Sequence, residues 1–524
     1  MLGNGAIVHF LESKGIRYIF HLPGIHTLPL NRALAESKIT VLMGRHESHA
    51  GFAADGFSRV TGGAAVLLVT PGPGLGNVVT SCMEAHGDDV PLLIMVIEVE
   101  RKHVEKGILH GVREPEALFR NITKAVFVAS GETDLLATLE ASFRTAVSAR
   151  QGPVAVFIPY RLLEKEVIFP VQGGVADEER EFDPEPLEKA LEGGQRPVII
   201  GGSGLMEDGI RGLLEAVCRD SAVPFLNTTG GKGVLREDSG CALGNVMAKG
   251  VAREVVRTAD LTIALGTRLR DVDTKRRGVK LGRLVHIDVD DRWLGRNYRP
   301  DLAIAGHMKE VVESLHHSMK GKRSTWDMEQ LKRTREREEA LLEAHHIGFR
   351  IVKLLRRLIP DETVTVWDLN LVTYWAELYF PAYHQRSFLS PRGSSPIFYG
   401  LPAALGAKLG KPESPCLCIT GDGSFSAVAG ELATVKQYDI PIVILVYNNG
   451  AFGVLEDYMR KRYGVSHAME LYNPDFLGLA RAFAIKAQRT RSLDGLEHIF
   501  RHHISWDEPY LVEFRYPLFS PPWE

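Results

Sequence analysis

Short apolar runs that end at glycine or polar turns recur along this chain and alternate with stretches of helical periodicity. The runs are only a few residues long and mostly apolar throughout, which is typical of strands buried in parallel sheets. The connecting stretches repeat apolar residues every three or four positions, as crossover helices do. We therefore predict an α/β fold, with strands over residues 18–22, 39–43, 66–70, 197–200, 261–266, 284–288, 416–420 and 441–447.

Two segments of mixed charge divide this pattern into three parts. They cover residues 164–190 and 317–346 and are typical of connections between domains. A chain of 524 residues also exceeds what one hydrophobic core normally supports. We predict three doubly wound, Rossmann-like parallel-sheet domains of the α/β class, which span residues 1–165, 185–318 and 345–524.

Composition narrows the class of protein. A net charge of -3 with 24% charged residues gives no basic surface that would indicate nucleic-acid binding. No run of about 18 apolar residues indicates a membrane span, and no signal-type segment opens the chain, so we expect a cytoplasmic protein.

The five cysteines are odd in number and lack metal-site spacing, so no disulfide framework is expected. Cys416 and Cys418 share one face of a strand, and we expect both thiols to be buried and unreactive.

One predicted strand of the last domain leads into a glycine turn that carries a carboxylate, Gly421-Asp422-Gly423. Residues 426–438 are predicted to form one crossover helix, and the next strand ends at two asparagines, the second of which is Asn449. One βαβ unit therefore brings Asp422 and Asn449 to the same sheet edge. Glycine lets main-chain N–H groups approach a phosphate, and carboxylate and amide oxygens suit Mg2+. The interval predicts a diphosphate and Mg2+ site.

A second polar cluster follows the strand over residues 39–43. Glu47 stands at the start of a predicted helix that is rich in small residues and suited to close packing. A carboxylate there is stabilised by the helix N-terminus but is costly to bury without a partner. The flanking His46 and His49 do not form the zinc motif HExxH, so no zinc site is expected. Glu47 is therefore a candidate functional residue.

These segments resemble the thiamine-diphosphate-dependent enzymes related to acetolactate synthase, benzoylformate decarboxylase and benzaldehyde lyase. The likeness rests on the interval from Gly421 to Asn449, on the stretch RHE at 45–47 with AADGFSR at 53–59, and on PGPGLGN at 71–77. It implies pyrimidine-binding, middle and diphosphate-binding domains in that order. The implied metal ligands are Asp422, Asn449 and the main-chain carbonyl of Ala451.

The resemblance also assigns residues to the cofactor. It implies that Glu47 contacts the aminopyrimidine ring and shares a proton with it, which an apolar setting favours. Ile397 fits the bulky aliphatic residue that holds the cofactor in a bent shape. Residues 370–375 depart from the synthases' sequence GQHQMW, so the diphosphate contacts made there do not transfer. The implied cofactor-binding residues are Glu47, Gly74, Ser395, Ile397, Gly421, Asp422, Gly423, Ser424, Asn449 and Phe452.

Two histidines are candidate catalytic residues beside Glu47. His26 follows the first strand where benzaldehyde lyase also has a histidine, and His110 falls where that enzyme and the synthases have a glutamine. An imidazole at either place can bind a substrate carboxylate or carry a proton. Loop histidines without a role are the alternative for both. The segment around His26 is also similar to a decarboxylase of 5-guanidino-2-oxopentanoate.

The middle domain carries a glycine run at 201–204 after an apolar strand. This run is a weak dinucleotide signal, because no acidic residue follows a strand at the spacing of a ribose-binding carboxylate. We expect a structural domain, with FAD binding as the less favoured alternative.

The resemblance covers nearly the whole chain and implies a 2-oxo acid decarboxylase or carboligase that uses thiamine diphosphate and Mg2+. The cofactor is an electron sink for the loss of CO2, after which the product is protonated to an aldehyde or captured by a second carbonyl. The implied partners are a small 2-oxo acid or aldehyde and further copies of the chain, in a homodimer or homotetramer with active sites at the subunit interface.

Two other functions stay open. One is the catalytic subunit of an acetolactate synthase, which the missing flavin motif of the synthases weakens. The other is a catalytically silent binding protein of the same fold, which the retention of Glu47, Asp422 and Asn449 weakens.

Overall fold

The computed structural model describes residues 1–168, 182–274 and 278–523. It contains three six-stranded sheets in which all neighbouring strands run parallel, so the predicted fold class is confirmed. The exact domain boundaries stay predictions, and part of the first predicted connection lies outside the described residues.

The first sheet is covered by helices on both faces, and its strand order is β2-β1-β3-β4-β6-β5. Its strands are β1 (Tyr18–His21), β2 (Thr40–Met43), β3 (Ala65–Val69), β4 (Leu92–Glu98), β5 (Ala125–Val128) and β6 (Val154–Pro159). The helices of this part are α1 (Gly3–Ser13), α2 (Leu28–Leu34), α3 (Glu47–Thr61), α4 (Pro73–Asn77), α5 (Val79–Gly87), α6 (Pro115–Phe119) and α7 (Leu135–Val147).

The second sheet has the strand order β12-β11-β10-β7-β8-β9, which is the order of dinucleotide-binding folds. Its strands are β7 (Pro197–Gly201), β8 (Phe225–Asn227), β9 (Ala242–Asn245), β10 (Leu261–Leu265), β11 (Leu284–Asp288) and β12 (Leu302–Ala305). The accompanying helices are α8 (Glu185–Leu191), α9 (Ile210–Asp220), α10 (Val251–Thr258) and α11 (Met308–Met319).

The third sheet, β14-β13-β15-β16-β18-β17, repeats the strand order of the first. Its strands are β13 (Val364–Trp367), β14 (Phe388–Leu389), β15 (Cys416–Gly421), β16 (Val443–Asn448), β17 (Lys486–Thr490) and β18 (Tyr510–Arg515). The helices are α12 (Met328–His345), α13 (Ile347–Leu358), α14 (Leu371–Tyr379), α15 (Gly400–Gly410), α16 (Asp422–Val428), α17 (Leu432–Gln437), α18 (Gly453–Tyr463), α19 (Phe476–Ala482) and α20 (Leu493–His502).

The shared strand order fixes where ligands can bind. The order reverses between β1 and β3 in the first sheet and between β13 and β15 in the third. In open α/β sheets, ligands bind outside the carboxyl ends of the strands at such a switch point. His26 follows β1, Gly74 follows β3 and Asp422 follows β15, so these three of the predicted residues lie beside the switch points.

The first and third domains of the chain pack together through α3 and α15. Small residues make this contact close: a Cβ atom on Gly406 would lie 1.7 Å from the Ala53 carbonyl oxygen, and one on Gly56 would lie 2.1 Å from that of Ala403. The small side chains at the start of α3 therefore serve helix packing, as the sequence predicts.

One predicted element differs from the structure. The sequence predicts a single helix over 426–438, whereas α16 begins at Asp422 and is joined to α17 by a 3-10 turn, Ala429–Glu431. The prediction was wrong at the start because Gly421 takes an extended conformation and ends the strand, so the helix can begin immediately afterwards.

Two further observations concern the cysteine thiols and membrane-spanning helices. All five cysteines are free and buried, which confirms the prediction for Cys416 and Cys418. Within the three described ranges, no helix is both long and apolar enough to cross a membrane.

Candidate active site

Glu47 is the first residue of α3 and lies half-buried at the carboxyl edge of the first sheet. Its Oε2 atom accepts a hydrogen bond of 2.9 Å from the amide of Asn77. The loop before Asn77 lies close by, because a Cβ atom on Gly74 would be 2.4 Å from Thr70 Oγ1 and 3.5 Å from Glu47 Oε1. Any larger residue at 74 would displace Thr70, so glycine is what lets this loop approach the carboxylate.

His26 and His110 come from separate loops and lie together near this edge. Their ring centroids are 5.3 Å apart, and the His26 ring also contacts that of Tyr160 at 6.1 Å. The Nδ1 atoms of both histidines are buried and have no hydrogen-bond partner among the described residues. Partial burial, and then the neighbouring His110, lowers the pKa of His26, so its imidazole is neutral at pH 7.

His110 has an unusual backbone conformation and lies in a tightly packed loop. His110 has a φ of +65°, in the left-handed region that few residues other than glycine adopt. Its Cα atom lies against the turn before Gly74, since a Cβ atom on Gly72 would be 2.9 Å away. The loop 107–111 is therefore packed onto the loop 71–77.

His21, at the end of β1, supports the turn that carries His26. The side chain is fully buried, with Nδ1 at 2.8 Å from the carbonyl oxygen of Leu68 and Nε2 at 3.0 Å from Thr27 Oγ1. Burial lowers the pKa of His21 to about 4, opposed by the Leu68 hydrogen bond and the charge of Glu47. Sequence reasoning missed this residue, although its place at the end of a strand could have identified it.

Asp422 lies at the corresponding edge of the third sheet, directly after β15, and is 2% exposed. Its Oδ2 atom accepts hydrogen bonds from Asn473 Nδ2 at 2.6 Å and from the main-chain N–H of Gly450 at 2.9 Å. Burial raises the pKa of Asp422, and these two donors oppose the rise. A bound cation would offset the cost of burying this charge.

The two asparagines at the end of β16, Asn448 and Asn449, make different contacts. Asn448 donates to Glu513 at 2.7 Å and accepts from Gly450 and Asn473, so it belongs to the hydrogen-bond network of Asp422. Asn449 lies against the start of α18, where a Cβ atom on Gly453 would be 2.5 Å from its Nδ2. In the described chain, no hydrogen bond links Asn449 to Asp422, and the metal-ligand role of Asn449 stays a prediction.

The loop after Asn449 is held by a short antiparallel bridge. Ala451 pairs with Glu470, and the N–H of the next residue, Phe452, donates to the Met469 carbonyl at 2.9 Å. The Phe452 ring lies over the glycine turn, since a Cβ atom on Gly423 would be 2.8 Å from it. Gly423 is thus required for close packing as well as for access to the main chain.

A second buried carboxylate, Asp368, organises the segment that contains Ile397. It follows β13 and accepts hydrogen bonds from Ser424 Oγ at 2.8 Å and from the Gly400 N–H at 2.9 Å. Ser424 in turn accepts from the Phe398 N–H at 2.6 Å. Asp368 therefore ties the Ile397 segment to the start of α16. Sequence reasoning passed over it, although it follows a buried strand just as Asp422 does.

The residues at these edges fit a diphosphate and a hard cation. One carboxylate, asparagine oxygens and a main-chain carbonyl are the donors that Mg2+ takes, and α16 begins at Asp422 with its N–H groups at the sheet edge. Asn370 caps α14 beside Gly421, accepting from the N–H groups of Val372 and Thr373. In the described parts of the chain, no group of three or more His, Cys, Asp and Glu side chains could hold a metal ion, so Mg2+ would depend on the mixed donor set.

The two edges form separate clusters. Glu47, Asn77, His26 and His110 belong to the first domain, whereas Asp422 and its partners belong to the third. Across residues 1–168 and 278–523, no hydrogen bond joins the partners of Glu47 to those of Asp422. The residues around Glu47 and those around Asp422 are therefore two distinct groups in the described chain.

The middle domain contributes to a cleft of about 800 Å³ between the three domains. Two ion pairs join the first and middle domains here, Asp89 to Arg268 at 2.9 Å and Asp88 to Arg270 at 2.8 Å, and Arg150 of the first domain also pairs with Asp89 at 2.9 Å. Ser203 and Gly204, the end of the glycine run at 201–204, line the cleft. Whether a nucleotide binds there stays a prediction.

Comparison with known proteins identifies the class of enzyme that this arrangement belongs to. Models of three parts of thiamine pyrophosphate enzymes match the chain: the N-terminal TPP binding domain at residues 1–118, the central domain at 185–315 and the C-terminal TPP binding domain at 370–514. The chain therefore belongs to the thiamine pyrophosphate enzyme family.

Curated relatives extend over almost the whole chain. A probable acetolactate synthase large subunit of Methanocaldococcus jannaschii is 30% identical over 98% of this chain and 91% of its own length. A probable 2-ketoarginine decarboxylase of Pseudomonas aeruginosa is 31% identical over 98% and 93%. The acetolactate synthase isozyme 2 large subunit of Escherichia coli is 28% identical over 97% and 95%.

The predicted family is confirmed, and with it the predicted cofactor, thiamine diphosphate. The protein is an enzyme that makes or breaks a carbon–carbon bond next to a carbonyl, of the decarboxylase and carboligase type.

Proposed function

We propose that this enzyme decarboxylates a 2-oxo acid and releases the aldehyde, with Mg2+ as the metal that anchors its cofactor. The observation that carries the proposal is the pair of imidazoles, His26 and His110, whose ring centroids lie 5.3 Å apart. An enzyme that releases an aldehyde needs a proton donor beside the reacting carbon, and this pair is suited to that task.

Thiamine diphosphate, when bound, would supply the electron sink for the loss of CO2. The chain's own task is to hold the cofactor and to move protons. Glu47 would share a proton with the aminopyrimidine ring of the bound cofactor, and Asn77 orients the Glu47 carboxylate through the 2.9 Å hydrogen bond. Asp422, Asn449 and the Ala451 carbonyl would hold Mg2+ against the diphosphate.

The two histidines divide the handling of the substrate. His26 is neutral at pH 7 because burial lowers its pKa, so it can donate through one ring nitrogen and accept through the other. It can therefore bind the substrate carboxylate, or deliver a proton to the product, without carrying a permanent charge. His110 faces it from the opposite loop and can return the proton.

Two carboxylates beyond the histidines support a basic 2-oxo acid as one candidate substrate. Glu98, at the end of β4, is aligned with Pro159 of β6, next to Tyr160, whose ring contacts His26. Glu98 and Glu116 share the single guanidinium of Arg101, at 3.1 and 3.2 Å. This excess of carboxylate would favour a cationic group such as the guanidinium of 2-ketoarginine, the substrate named for one relative.

A homodimer, as the smallest active unit in the cytoplasm, would join the group of residues around Glu47 to the group around Asp422. Large side chains are exposed beside each of them: Ile25 and Leu109 are each 61% exposed around the histidines, while Tyr463 at the end of α18 and Tyr472 after it are 66% and 98% exposed. Burying these side chains against a second copy would favour association. The cofactor would then lie between Glu47 of one subunit and Asp422 of its partner.

A second candidate is the formation of acetolactate from two 2-oxo acids. The relatives from Methanocaldococcus jannaschii and Escherichia coli support it, because both are named acetolactate synthase large subunits. In this chain, His110 replaces the glutamine that the synthases have, which favours protonation over capture of a second carbonyl.

The test is to assay CO2 release and products with thiamine diphosphate, Mg2+ and a panel of 2-oxo acids: pyruvate, a branched-chain acid and 5-guanidino-2-oxopentanoate. One equivalent of aldehyde per CO2 supports the proposal. Acetolactate from pyruvate would support the synthase instead. Cofactor binding without CO2 from any acid would contradict both and point to a ligase or lyase that acts on aldehydes.

A further inference from the structure

Glu84 lies in α5 of the first domain and is fully buried. Its carboxylate accepts main-chain hydrogen bonds from the third domain: Gly393 N–H to Oε1 at 2.9 Å, and the N–H groups of Ser394 and Ser395 to Oε2 at 2.8 and 3.1 Å. Arg59 of α3 completes the set at 3.0 Å. One side chain thus holds three consecutive amides that lie more than 300 residues away in the sequence.

The segment that Glu84 holds has an unusual backbone. Ser395 and Phe398 have φ angles of +55° and +76°, which side chains rarely adopt without outside support. The contact is also tight, because a Cβ atom on Gly393 would lie 2.1 Å from the Glu84 carbonyl oxygen. The three hydrogen bonds therefore impose a conformation that the segment would not keep alone.

The same segment continues into the cofactor-binding region. Ile397 follows Ser395 after one proline, Pro396, and the Phe398 N–H donates to Ser424 in the first turn of α16. The conformation set at 393–395 thus determines where Ile397 stands relative to Asp422.

Burial and neighbouring charged side chains shift the pKa of the Glu84 carboxylate. Burial, and then the nearby charge of Asp88, raises the pKa of Glu84 to about 7, and Arg59 opposes the rise. Arg59 is itself shared with Asp55 at 2.6 Å and Asp88 at 2.9 Å. A carboxylate this costly to bury is tolerated only where its hydrogen bonds are all made.

We propose that Glu84 is a positioning residue for cofactor binding, whose carboxylate preorganises residues 393–395 so that Ser395 and Ile397 can receive thiamine diphosphate. The role rests on the proposed function of the site. It is mediated by the backbone, so Glu84 itself contacts neither substrate nor cofactor.

The test measures cofactor affinity rather than turnover. Calorimetric titration of thiamine diphosphate with Mg2+ should give Glu84→Gln a dissociation constant about tenfold or more above wild type, within the range for loss of an outer-shell partner. Glu84→Asp should recover part of the loss. Hydrogen exchange of the cofactor-free protein should show faster exchange of the 393–395 amides in Glu84→Gln. The half-exposed Glu140→Gln, which removes only the ion pair of Glu140 with Lys14, is the control.

A second variant covers the case in which Glu84→Gln does not fold. Gly393→Ala leaves the carboxylate and its ion pair with Arg59 intact but forces the segment away from α5, and it should weaken cofactor binding equally. Gly212→Ala, where a Cβ atom meets open space, is its control. Folded Glu84→Gln or Gly393→Ala with wild-type cofactor affinity would overturn the proposal. If the wild-type protein binds no thiamine diphosphate, that result would instead contradict the proposed function.

Discussion

Asn473 donates a hydrogen bond of 2.6 Å to the Oδ2 atom of Asp422 across 51 residues of sequence. The loop after α18 is thereby tied to the carboxylate at the end of β15. Asn448 accepts from the same amide at 3.2 Å, so one side chain joins three loops of the diphosphate edge. Asn473 orients the carboxylate that we assign to Mg2+ without being assigned to the metal itself.

This relationship predicts graded effects on metal and cofactor binding. Asn473→Ala should weaken Mg2+-dependent binding of thiamine diphosphate by about 10- to 100-fold, the usual range for an outer-shell partner. Asp422→Asn should weaken it further, because it removes the only carboxylate of the proposed donor set. Calorimetric titration at fixed Mg2+ measures both. Exposed Asp439→Asn, at a φ of +45° that asparagine tolerates, should bind as wild type. Unchanged binding by Asp422→Asn would refute the metal assignment.

Glu47→Gln should abolish turnover and leave cofactor binding nearly intact. The amide keeps the size of the side chain but cannot share a proton, and positioned acid–base groups contribute about 10²- to 10⁴-fold in rate. Single-turnover kinetics with a saturating 2-oxo acid measures the loss, and Glu36→Gln on the same domain surface is the control. A variant that keeps more than about a tenth of the wild-type rate would exclude this role for Glu47.

His26 and His110 should act as a pair. Replacing either by alanine should reduce the rate of aldehyde release, and the double variant should be little worse than the poorer single variant, because residues that act as a unit are not additive. The fold should survive, since both side chains are only partly buried. Kinetics on the 2-oxo acid panel would reveal the coupling. Wild-type kinetics for both single variants would make them loop histidines without a catalytic role.

His21 should make the folded protein less stable at acidic pH. Its pKa is about 4 in the folded protein and 6.5 in the unfolded chain, so the unfolded chain binds the extra proton between these values. The free energy of unfolding is therefore highest above pH 6.5 and falls as the pH drops towards 4, by about 3 kcal/mol for this residue.

The check is the change in melting temperature between pH 7 and pH 4.5. His21→Asn should lose less stability over this range than wild type, while exposed His317→Asn should lose as much. Equal acid sensitivity in His21→Asn and wild type would mean that His21 is not the source.

The sequence alone was enough to place those site residues that come directly after a predicted strand. The apolar run before Gly421 predicts that Asp422 stands at a sheet edge, and the structure places it there. The residues around Glu47 and those around Asp422 each lie at one edge of a sheet because the carboxyl ends of parallel strands are on the same side. Interactions between distant segments left no local signal: Glu84 meets 393–395 only because α5 packs against a loop of another domain, and Asn473 lies in a loop without periodicity.

The most direct test of the central claim is complementation between two inactive variants, Glu47→Gln and Asp422→Asn. If each active site joins Glu47 of one subunit to Asp422 of the other, a hybrid dimer contains one intact site. Mixing the variants equally under conditions of subunit exchange should restore about a quarter of wild-type CO2 release from a 2-oxo acid, since half of randomly formed dimers are hybrids. No recovery, with hybrids verified by native mass spectrometry, would contradict the account and place both residues in a site within one chain.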